Sequence, residues 1–165
     1  MAIDARLQQI LDEAGVGYEI IHHVADRRAL RTAHDTRTPP EQFAKVVVVH
    51  VDDHFALAVI PATHYLAPSR LAREVGANSV RLASESEMRR AIPNYEPGTA
   101  PPLASLCGLP VYVSPLLAAE EFITFNAGTH CDALRLLWKD YERLATPQVV
   151  HLSHHEEEAQ GGESW

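Results

Sequence analysis

Two apolar segments joined by a pair of acidic residues constrain this fold more than any other part of the sequence. Residues 45–51 (KVVVVHV) and 54–60 (HFALAVI) flank Asp52 and Asp53. β-branched residues run almost unbroken through the first segment, which is typical of a strand that is buried on both faces. An Asp-Asp pair between two such segments indicates a turn. The sequence therefore predicts a central β-hairpin within a sheet.

Shorter helices and strands alternate on both sides of this hairpin. Apolar residues spaced three and four apart, stopping at Gly15, predict a first helix over residues 3–14. Further helices or helical turns are predicted at residues 29–34, 67–75, 115–119 and 139–144 and, behind the capping residue Ser84, up to residue 91. Further strands are predicted at residues 18–22, 79–82, 111–113, 122–126 and 133–137. The hairpin and the meander-like C-terminal part favour a mixed α/β (α+β) fold over a purely parallel sheet.

The acidic charge of the chain is concentrated near its C-terminus. The 165 residues have a formal net charge of -8, and residues 151–165 contain four Glu and neither Lys nor Arg, so they carry half of it. This segment has no apolar periodicity, and we predict a single domain over residues 1–150 followed by an acidic, disordered tail over 151–165. An acidic domain does not grip duplexes by bulk charge, which argues against DNA as a partner. A local site for the end of a nucleic acid stays open.

The number of cysteines and the length of the apolar segments indicate the cellular compartment of the protein. Cys107 and Cys131 are too few for a disulfide framework. The first residues lack the basic and then apolar pattern of a secretion signal, and no apolar run approaches the ~18 residues that span a bilayer. We therefore expect a cytoplasmic protein without a membrane partner.

Lys45 is the first candidate for chemistry. It begins the apolar strand of the hairpin, in a chain that uses Arg twelve times and Lys only twice. A lysine at the mouth of a buried strand can lay its stem over the core and direct its ammonium group into a cleft. A compact point charge differs there from the planar guanidinium of arginine. The alternative is a surface charge that extends into water.

An irregular loop over residues 93–102 (PNYEPGTAPP) is the second candidate. Four prolines and a glycine exclude a helix or a central strand. Gly98 permits a positive φ, and exposed amides at Gly98 and Thr99 could receive a developing oxyanion. The alternative is a rigid crossover loop that binds nothing.

A glycine turn after the strand at residues 122–126 is the third candidate. Asn126, Gly128 and His130 occur together there and suit a pocket wall. His130 could orient a substrate or assist a proton transfer. The alternative is a turn with a histidine that faces solvent.

Motifs for metal and nucleophile chemistry are absent from the sequence. It contains no His-Glu-x-x-His, no Cys-x-x-Cys, no Gly-x-Ser-x-Gly and no phosphate-binding Gly-rich loop. The best candidate for a set of metal ligands lies at the predicted turn of the hairpin. It would form a metal-hydrolase site, the rival interpretation, from His50, Asp52, Asp53 and His54. We expect no metal and no cofactor.

Several short motifs follow one another in a characteristic order between residues 3 and 145. They are Tyr18 five residues before His23, Thr32-Ala33, Lys45 in FAKVVVV, Pro97-Gly98-Thr99-Ala100-Pro101, and Phe125-Asn-Ala-Gly128. In this order they resemble the YbaK-type aminoacyl-tRNA deacylase family, which includes the editing domain inserted in bacterial prolyl-tRNA synthetases. The resemblance implies a mixed, barrel-like β-sheet flanked by helices.

The resemblance also implies a function and a site. The activity is hydrolysis of the ester that joins a wrong amino acid to the 3′ end of a tRNA, most often tRNA-Pro, and an aminoacyl-tRNA synthetase is a candidate partner. Because this ester is already activated, the protein need only position water and stabilise the oxyanion. The residues assigned to catalysis are Lys45, Gly98, Thr99 and His130. The residues assigned to substrate binding are Tyr18, His23, Pro101, Asn126 and Gly128.

Two features of the chain qualify this expectation. Val46 stands where many members of the family have threonine, which removes a hydroxyl group from the expected pocket. The main alternative is therefore a non-catalytic module of the same fold that binds an amino-acid-like ligand or a protein partner. Because the domain is acidic, the tRNA end would rely on a local positive patch, for which Lys45, Arg28, Arg31 and Arg37 are available.

Overall fold

The computed structural model describes residues 3–155. The strands are β1 (Tyr18–His22), β2 (Ala44–Val51), β3 (His54–Pro61), β4 (His64–Leu66), β5 (Val80–Leu82), β6 (Val111–Val113), β7 (Phe122–Asn126), β8 (Asp132–Leu137), β9 (Gln148–Val149) and β10 (Ser153–His155). The helices are α1 (Ala5–Ala14), α2 (Ala29–Asp35), α3 (Pro68–Val75), α4 (Glu85–Ala91), α5 (Ala104–Cys107), α6 (Pro115–Ala118) and α7 (Trp138–Ala145). Helices and strands are interleaved, which confirms the predicted mixed α/β class.

The predicted hairpin is the centre of the larger sheet. Strands β2 and β3 pair antiparallel from Ala44 opposite Pro61 to Val51 opposite His54. Asp52, at the turn, has a φ of 52° and accepts hydrogen bonds through Oδ1 from two backbone amides of the segment before β5. The full strand order is β5-β2-β3-β6-β9, in which β6 runs parallel to both of its neighbours. Both antiparallel and parallel pairs are present, so the sheet is mixed as predicted.

Both faces of this sheet are buried, as the valine run predicts. One face contributes to the main core the side chains of Val46, Val48, Leu57, Val59, Val111 and Val113. The other face packs on α3 and includes Val47, Val49, Val51, Ala56, Ala58 and Ile60. A strand with two buried faces has no polar alternation, which is why its sequence reads as continuous valine.

A second sheet of three antiparallel strands, in the order β1-β8-β7, covers the main core from the other side. The two sheets meet where Phe43 forms a parallel bridge with Thr124 and the Gln42 carbonyl accepts from the Thr124 amide at 3.0 Å. Lys45 and Asn126 each lie two residues beyond this bridge. Within residues 3–155 the sheets do not close into a barrel, so the arrangement is barrel-like only in having two sheets that share a core.

Strand β10 changes the predicted domain boundary. It pairs antiparallel with β4, from Ser153 opposite Leu66 to His155 opposite His64, and Leu152 is fully buried. Residues 151–155 therefore belong to the fold rather than to the predicted tail, since they pair with β4 and bury an apolar side chain. The rest of that prediction, residues 156–165, lies outside the described residues.

Local capping fixes the helices near the site. Ser84 and Glu87 form the capping box that the sequence predicts at the start of α4. Asp4 caps α1 by accepting from the amides of Arg6 and Leu7. Strands β4, β9 and β10 and helix α5 were not predicted, because two to four residues are too few to show a period. In the described part of the chain, no helix has the length and apolar character to cross a membrane.

Candidate active site

Lys45 and the proline-rich loop lie on one cavity of about 410 Å³ between the start of β2, helix α4 and the loop itself. Its polar lining comes from Lys45, Arg27, Glu85 and the backbone of Gly98. Apolar side chains line the remainder, including Val46, Val48, Met88 and Ile92. An apolar cavity with a few convergent polar groups is the usual form of a small-molecule site.

The loop is held rigidly at Gly98. Asn126 Nδ2 donates to the Gly98 carbonyl at 3.0 Å. The Thr99 amide and hydroxyl both donate to the Glu96 carbonyl, at 3.0 and 2.7 Å, and Thr99 is 1% exposed. Because its amide closes this turn, Thr99 cannot also serve as the oxyanion donor expected from the sequence while the turn is intact.

Two other amides of the loop are available instead. Gly98 has a φ of 87° and is exposed, and its N–H donates to no group within residues 3–155. The same holds for the N–H of Ala100, which lines the cavity and which sequence reasoning missed. Backbone amides without partners beside a cavity are suited to receiving a negatively charged oxygen.

His130 stands beside Gly98. Its Cε1 lies 3.7 Å from where a Gly98 Cβ would be, and its Nε2 lies 3.8 Å from Glu96 Oε2. Burial lowers the pKa of His130 below its ordinary value, the nearby Arg27 charge lowers it further, and Glu96 and the adjacent backbone of Asp26 oppose the shift. The imidazole is therefore neutral near pH 7 and can accept or donate a proton.

Unpartnered polar atoms are concentrated around this histidine. Among the described residues, buried nitrogen and oxygen atoms without a hydrogen-bond partner include both ring nitrogens of His130, His23 Nε2 and Asn126 Oδ1. Native proteins keep few such atoms, so a cluster of them calls for an explanation. A polar substrate or an ordered water at this position would satisfy them.

Lys45 is anchored at the rim of the cavity. Its Nζ donates to the His64 carbonyl at 2.7 Å and lies 5.1 Å from the centre of the Tyr65 ring. The side chain is half-buried, as expected for a lysine that covers core residues with its stem. Two contacts of the ammonium group thus come from β4, an element that the sequence did not predict.

A second cavity, of about 470 Å³, opens on the other side of Lys45. Its lining includes Arg28 and Arg31 of the predicted positive patch, along with Tyr65. Arg28 is paired with Asp26 at 2.8 Å and Arg31 with Asp35 at 3.2 Å, so their charge is partly compensated. Arg37 does not line this cavity.

Three of the predicted binding residues lie elsewhere or act through the backbone. Tyr18 donates to Asp12 and lines a separate hollow at the far end of β1 from His22. Pro101 is buried, and its carbonyl accepts from the Leu103 amide within the loop. Gly128 has a φ of 102°, and a Cβ there would lie 3.2 Å from the Asp4 Cβ, so glycine is required for packing against the start of α1.

The rival metal site has other structural roles. His50 packs edge-on against Phe55, and Asp52 accepts the two backbone amides described above. Within residues 3–155 no group of three or more His, Cys, Asp or Glu side chains is placed to hold a metal ion. Burial raises the pKa of the Cys107 thiol to about 11, which keeps it protonated and a poor nucleophile.

Asp4 and Tyr95 connect the site to the N-terminal helix and were missed by sequence reasoning. Tyr95 Oη donates to Asp4 Oδ2 at 2.5 Å, and the Asp4 amide donates to the Ala127 carbonyl at 3.3 Å. This pair ties both loops of the site to α1. Only the N-cap position of Asp4 is visible in the sequence, since the contact with Tyr95 spans 91 residues.

Comparisons with known proteins identify relatives of this chain. A family model described as the aminoacyl-tRNA editing domain matches residues 25–144. The chain is 29% identical over 152 residues to the multifunctional Ser/Thr-tRNA deacylase ProXp-y of Escherichia coli strain K12, a match that covers 88% of this chain and 90% of that relative.

Solved structures share the fold. One, described as a proposed trans-editing enzyme for prolyl tRNA synthetase, superposes with a TM-score of 0.78 at 23% identity and covers 93% of this chain and 99% of the other. A second is a proposed signal transduction protein from Marinobacter aquaeolei VT8, with a TM-score of 0.70 at 17% identity. It covers 95% of this chain and 32% of the other, so the same fold also occurs as one part of a larger protein.

Proposed function

This chain belongs to the aminoacyl-tRNA editing domain family and deacylates mischarged aminoacyl-tRNA, and we propose that it does so at the cavity between Lys45 and Gly98. The observation that carries the proposal is the meeting of a lysine ammonium group and two available backbone amides at one cavity, with unpartnered polar atoms of His130 and Asn126 beside the Gly98 loop that borders it. Each of these features matches a need of ester hydrolysis.

The reaction is the attack of water on the ester carbonyl carbon. A tetrahedral oxyanion forms, the bond between that carbon and the tRNA ribose oxygen breaks, and the ribose oxygen takes up the proton that the water releases. The products are a free amino acid and an uncharged tRNA. The amides of Gly98 and Ala100 stabilise the oxyanion, and neutral His130 orients the water and carries its proton.

The substrate side chain occupies the apolar part of the cavity. Val46, Met88 and Ile92 line it, and the terminal adenosine and the ester must share the same 410 Å³. A small amino acid therefore fits best. The tRNA-Pro esters expected from the family and the seryl and threonyl esters suggested by the E. coli relative are the two substrate groups to compare.

The tRNA end approaches through the second cavity. Lys45 stands between the two cavities and is placed to contact the phosphate of the terminal nucleotide. Arg28 and Arg31 receive the preceding phosphates, and Tyr65 offers a ring against which a base can stack. The contact is limited to the unpaired acceptor end, which agrees with the acidic character of the chain.

We also place this activity in the cytoplasm, in association with an aminoacyl-tRNA synthetase. The free thiols of Cys107 and Cys131 favour a reducing compartment. A deacylase that acts in trans competes with elongation for its substrate, so proximity to a synthetase would raise its effective concentration.

The deciding experiment is a deacylation panel with purified protein. Labelled alanyl-, cysteinyl- and seryl-tRNA-Pro are compared with seryl- and threonyl-tRNA, using wild type, Lys45→Ala and Lys139→Ala. Wild type should release the amino acid from at least one ester, and Lys45→Ala should lower the rate by about 10², because loss of the phosphate contact misplaces the ester. Lys139→Ala removes the other lysine of the chain, which is exposed on α7, and should leave the rate unchanged.

Two outcomes would contradict the proposal. Turnover of no ester, with binding of a free amino acid or its analogue, would favour the non-catalytic module. Wild-type rates in Lys45→Ala would place the active site elsewhere in the molecule.

A further inference from the structure

We infer that the C-terminal strand β10 is a positioning element for Lys45. The inference rests on the proposed role of Lys45, and it explains what holds the Lys45 ammonium group in position. It concerns residues 151–155, which the sequence alone assigns to a solvated tail.

The connection runs through β4. Lys45 Nζ donates to the His64 carbonyl at 2.7 Å, and Tyr65, the next residue, places its ring 5.1 Å from the same Nζ. These two contacts come from one strand of three residues. The position of that strand therefore helps to set the position of the charge.

Strand β4 depends on β10. Within residues 3–155 it belongs to neither large sheet, and its strand partner is β10. His64 Nδ1 contacts Ser153 Oγ at 3.0 Å, and His64 packs edge-on against His155 at 5.5 Å between ring centroids. A two-stranded ribbon of this length is marginal by itself, so each strand needs its anchor in the core.

The anchor lies at the start of β10. Leu152 is fully buried, and its carbonyl accepts from the Ala67 amide at 2.7 Å, directly after β4. Arg70 of α3 donates to the Ser153 carbonyl at 2.9 Å. Residues 152 and 153 thus clamp both β4 and α3, whereas none of these contacts touches the Gly98 loop.

A pair of truncations tests the inference. One variant ends at Val150 and lacks β10, and the other ends at His155 and retains it. Both lack residues 156–165, so the difference between them reports on residues 151–155 alone. We expect kcat/KM for ester hydrolysis to be about tenfold or more lower in the shorter variant, because a displaced ammonium group no longer holds the terminal phosphate so that the ester is aligned with the Gly98 loop. In a Lys45→Ala background the two truncations should have equal rates.

A spectroscopic measurement gives an independent readout. The chain has only two lysines, so labelling with lysine that carries ¹³C at Cε yields two NMR signals, and Lys139 serves as the reference. The Tyr65 ring current should displace the Lys45 signal from that of a free lysine. The displacement should persist in the variant that ends at His155 and diminish in the one that ends at Val150. The full-length Ser153→Ala variant, which loses only the contact with His64, should show a smaller change in the same direction.

The outcomes separate the two proposals. An unchanged Lys45 signal in both the folded shorter truncation and Ser153→Ala would overturn the positioning role. A shifted Lys45 signal in a protein that hydrolyses no ester would support the positioning role and overturn the proposed function. If the shorter truncation does not fold, as judged by circular dichroism, Ser153→Ala decides the question, with Ser86→Ala on α4 as its exposed control.

Discussion

Asn126 at the end of β7 donates a hydrogen bond to the carbonyl of Gly98, which joins the second sheet to the proline-rich loop at 3.0 Å. A peptide unit is planar, so fixing this carbonyl also fixes the amide of Thr99, which closes the turn onto Glu96. The peptide plane is therefore held at both ends. Together with the Gly98 φ of 87°, this fixed plane helps to set the direction of the Gly98 amide, which lies in the preceding peptide plane.

Removing this hydrogen bond should slow catalysis with little loss of stability. We expect Asn126→Ala to lower kcat about tenfold and to change the free energy of unfolding by about 1 kcal/mol, since one partly exposed hydrogen bond is worth no more. Asn126→Asp should lower kcat further, because its carboxylate would face the Gly98 carbonyl. Asn78→Ala, at an exposed position, is the control, and single-turnover deacylation with thermal unfolding measures both quantities. A wild-type rate in Asn126→Ala would mean that the loop holds itself in place.

The left-handed backbone at Gly98 gives a second prediction. Its φ of 87° disfavours any side chain, although a Cβ would meet nothing closer than His130 Cε1 at 3.7 Å. Gly98→Ala should therefore rotate the Gly98 amide out of position and lower kcat by about 10²-fold, the usual effect of losing one oxyanion donor. Gly76→Ala is a matched control, because Gly76 has a φ of 71° and lies far from the site at the end of α3. Both variants should lose about 1–2 kcal/mol of stability. Only Gly98→Ala should lose activity. Equal losses of activity in the two variants would show that Gly98 has no special role in catalysis.

The sequence predicts the fold wherever local pattern decides it. The valine run, the Asp-Asp turn and the Ser84 capping box are each encoded within a few residues, and the structure contains all three. Strands β4 and β10 are too short for a pattern, and their pairing joins residues about 90 positions apart. The prediction for residues 151–155 therefore depends on composition alone. The glutamates that follow them make this composition polar and acidic, which is typical of a disordered tail.

Only those parts of the site that have a local sequence pattern could be predicted. Lys45 and the Gly98 loop stand out locally, because a charge begins an apolar strand and prolines interrupt a pattern. The parallel bridge between Phe43 and Thr124, which brings the Lys45 and Asn126 segments alongside, has no local signal. Nor does the turn that occupies the Thr99 amide. Hydrogen-bond direction within a loop depends on its φ and ψ angles, which the residue types leave open.

The acid–base behaviour of His130 gives a third prediction. Its pKa should lie below about 6.5, the ordinary value for histidine, because burial and the Arg27 charge both disfavour the imidazolium form. Arg27→Gln should raise the pKa and Glu96→Gln should lower it. NMR titration of the His130 Cε1 proton, assigned with His130→Gln, measures these shifts without reference to activity. Both shifts should shrink at high salt, since Arg27 is largely exposed.

The same shift has a consequence for stability. The unfolded chain binds a proton at His130 at a higher pH than the folded chain does, so this residue's contribution to stability is complete above about pH 6.5. It declines as the pH falls below that value, until the folded pKa is passed. His130→Gln should therefore flatten this part of the curve of unfolding free energy against pH. An unchanged curve would place the His130 pKa at its ordinary value.

The last prediction concerns how the protein holds tRNA. Lys45, Arg28 and Arg31 are the cations at the second cavity, and two of them are paired with aspartates. Binding of an acceptor-end oligonucleotide should therefore be weak, with a plot of log K against log salt concentration that has a slope of about -2, near -0.7 for each phosphate contacted. Arg31→Gln should reduce the slope by about 0.7, whereas Arg143→Gln, which removes a comparable helical ion pair on α7, should not change it. Equal slopes for wild type and Arg31→Gln would mean that the acceptor end leaves the site by another path. A small slope also implies that selection rests on the amino acid, because three cations, two of them compensated by aspartates, contribute little free energy compared with the largely apolar cavity that the ester must enter.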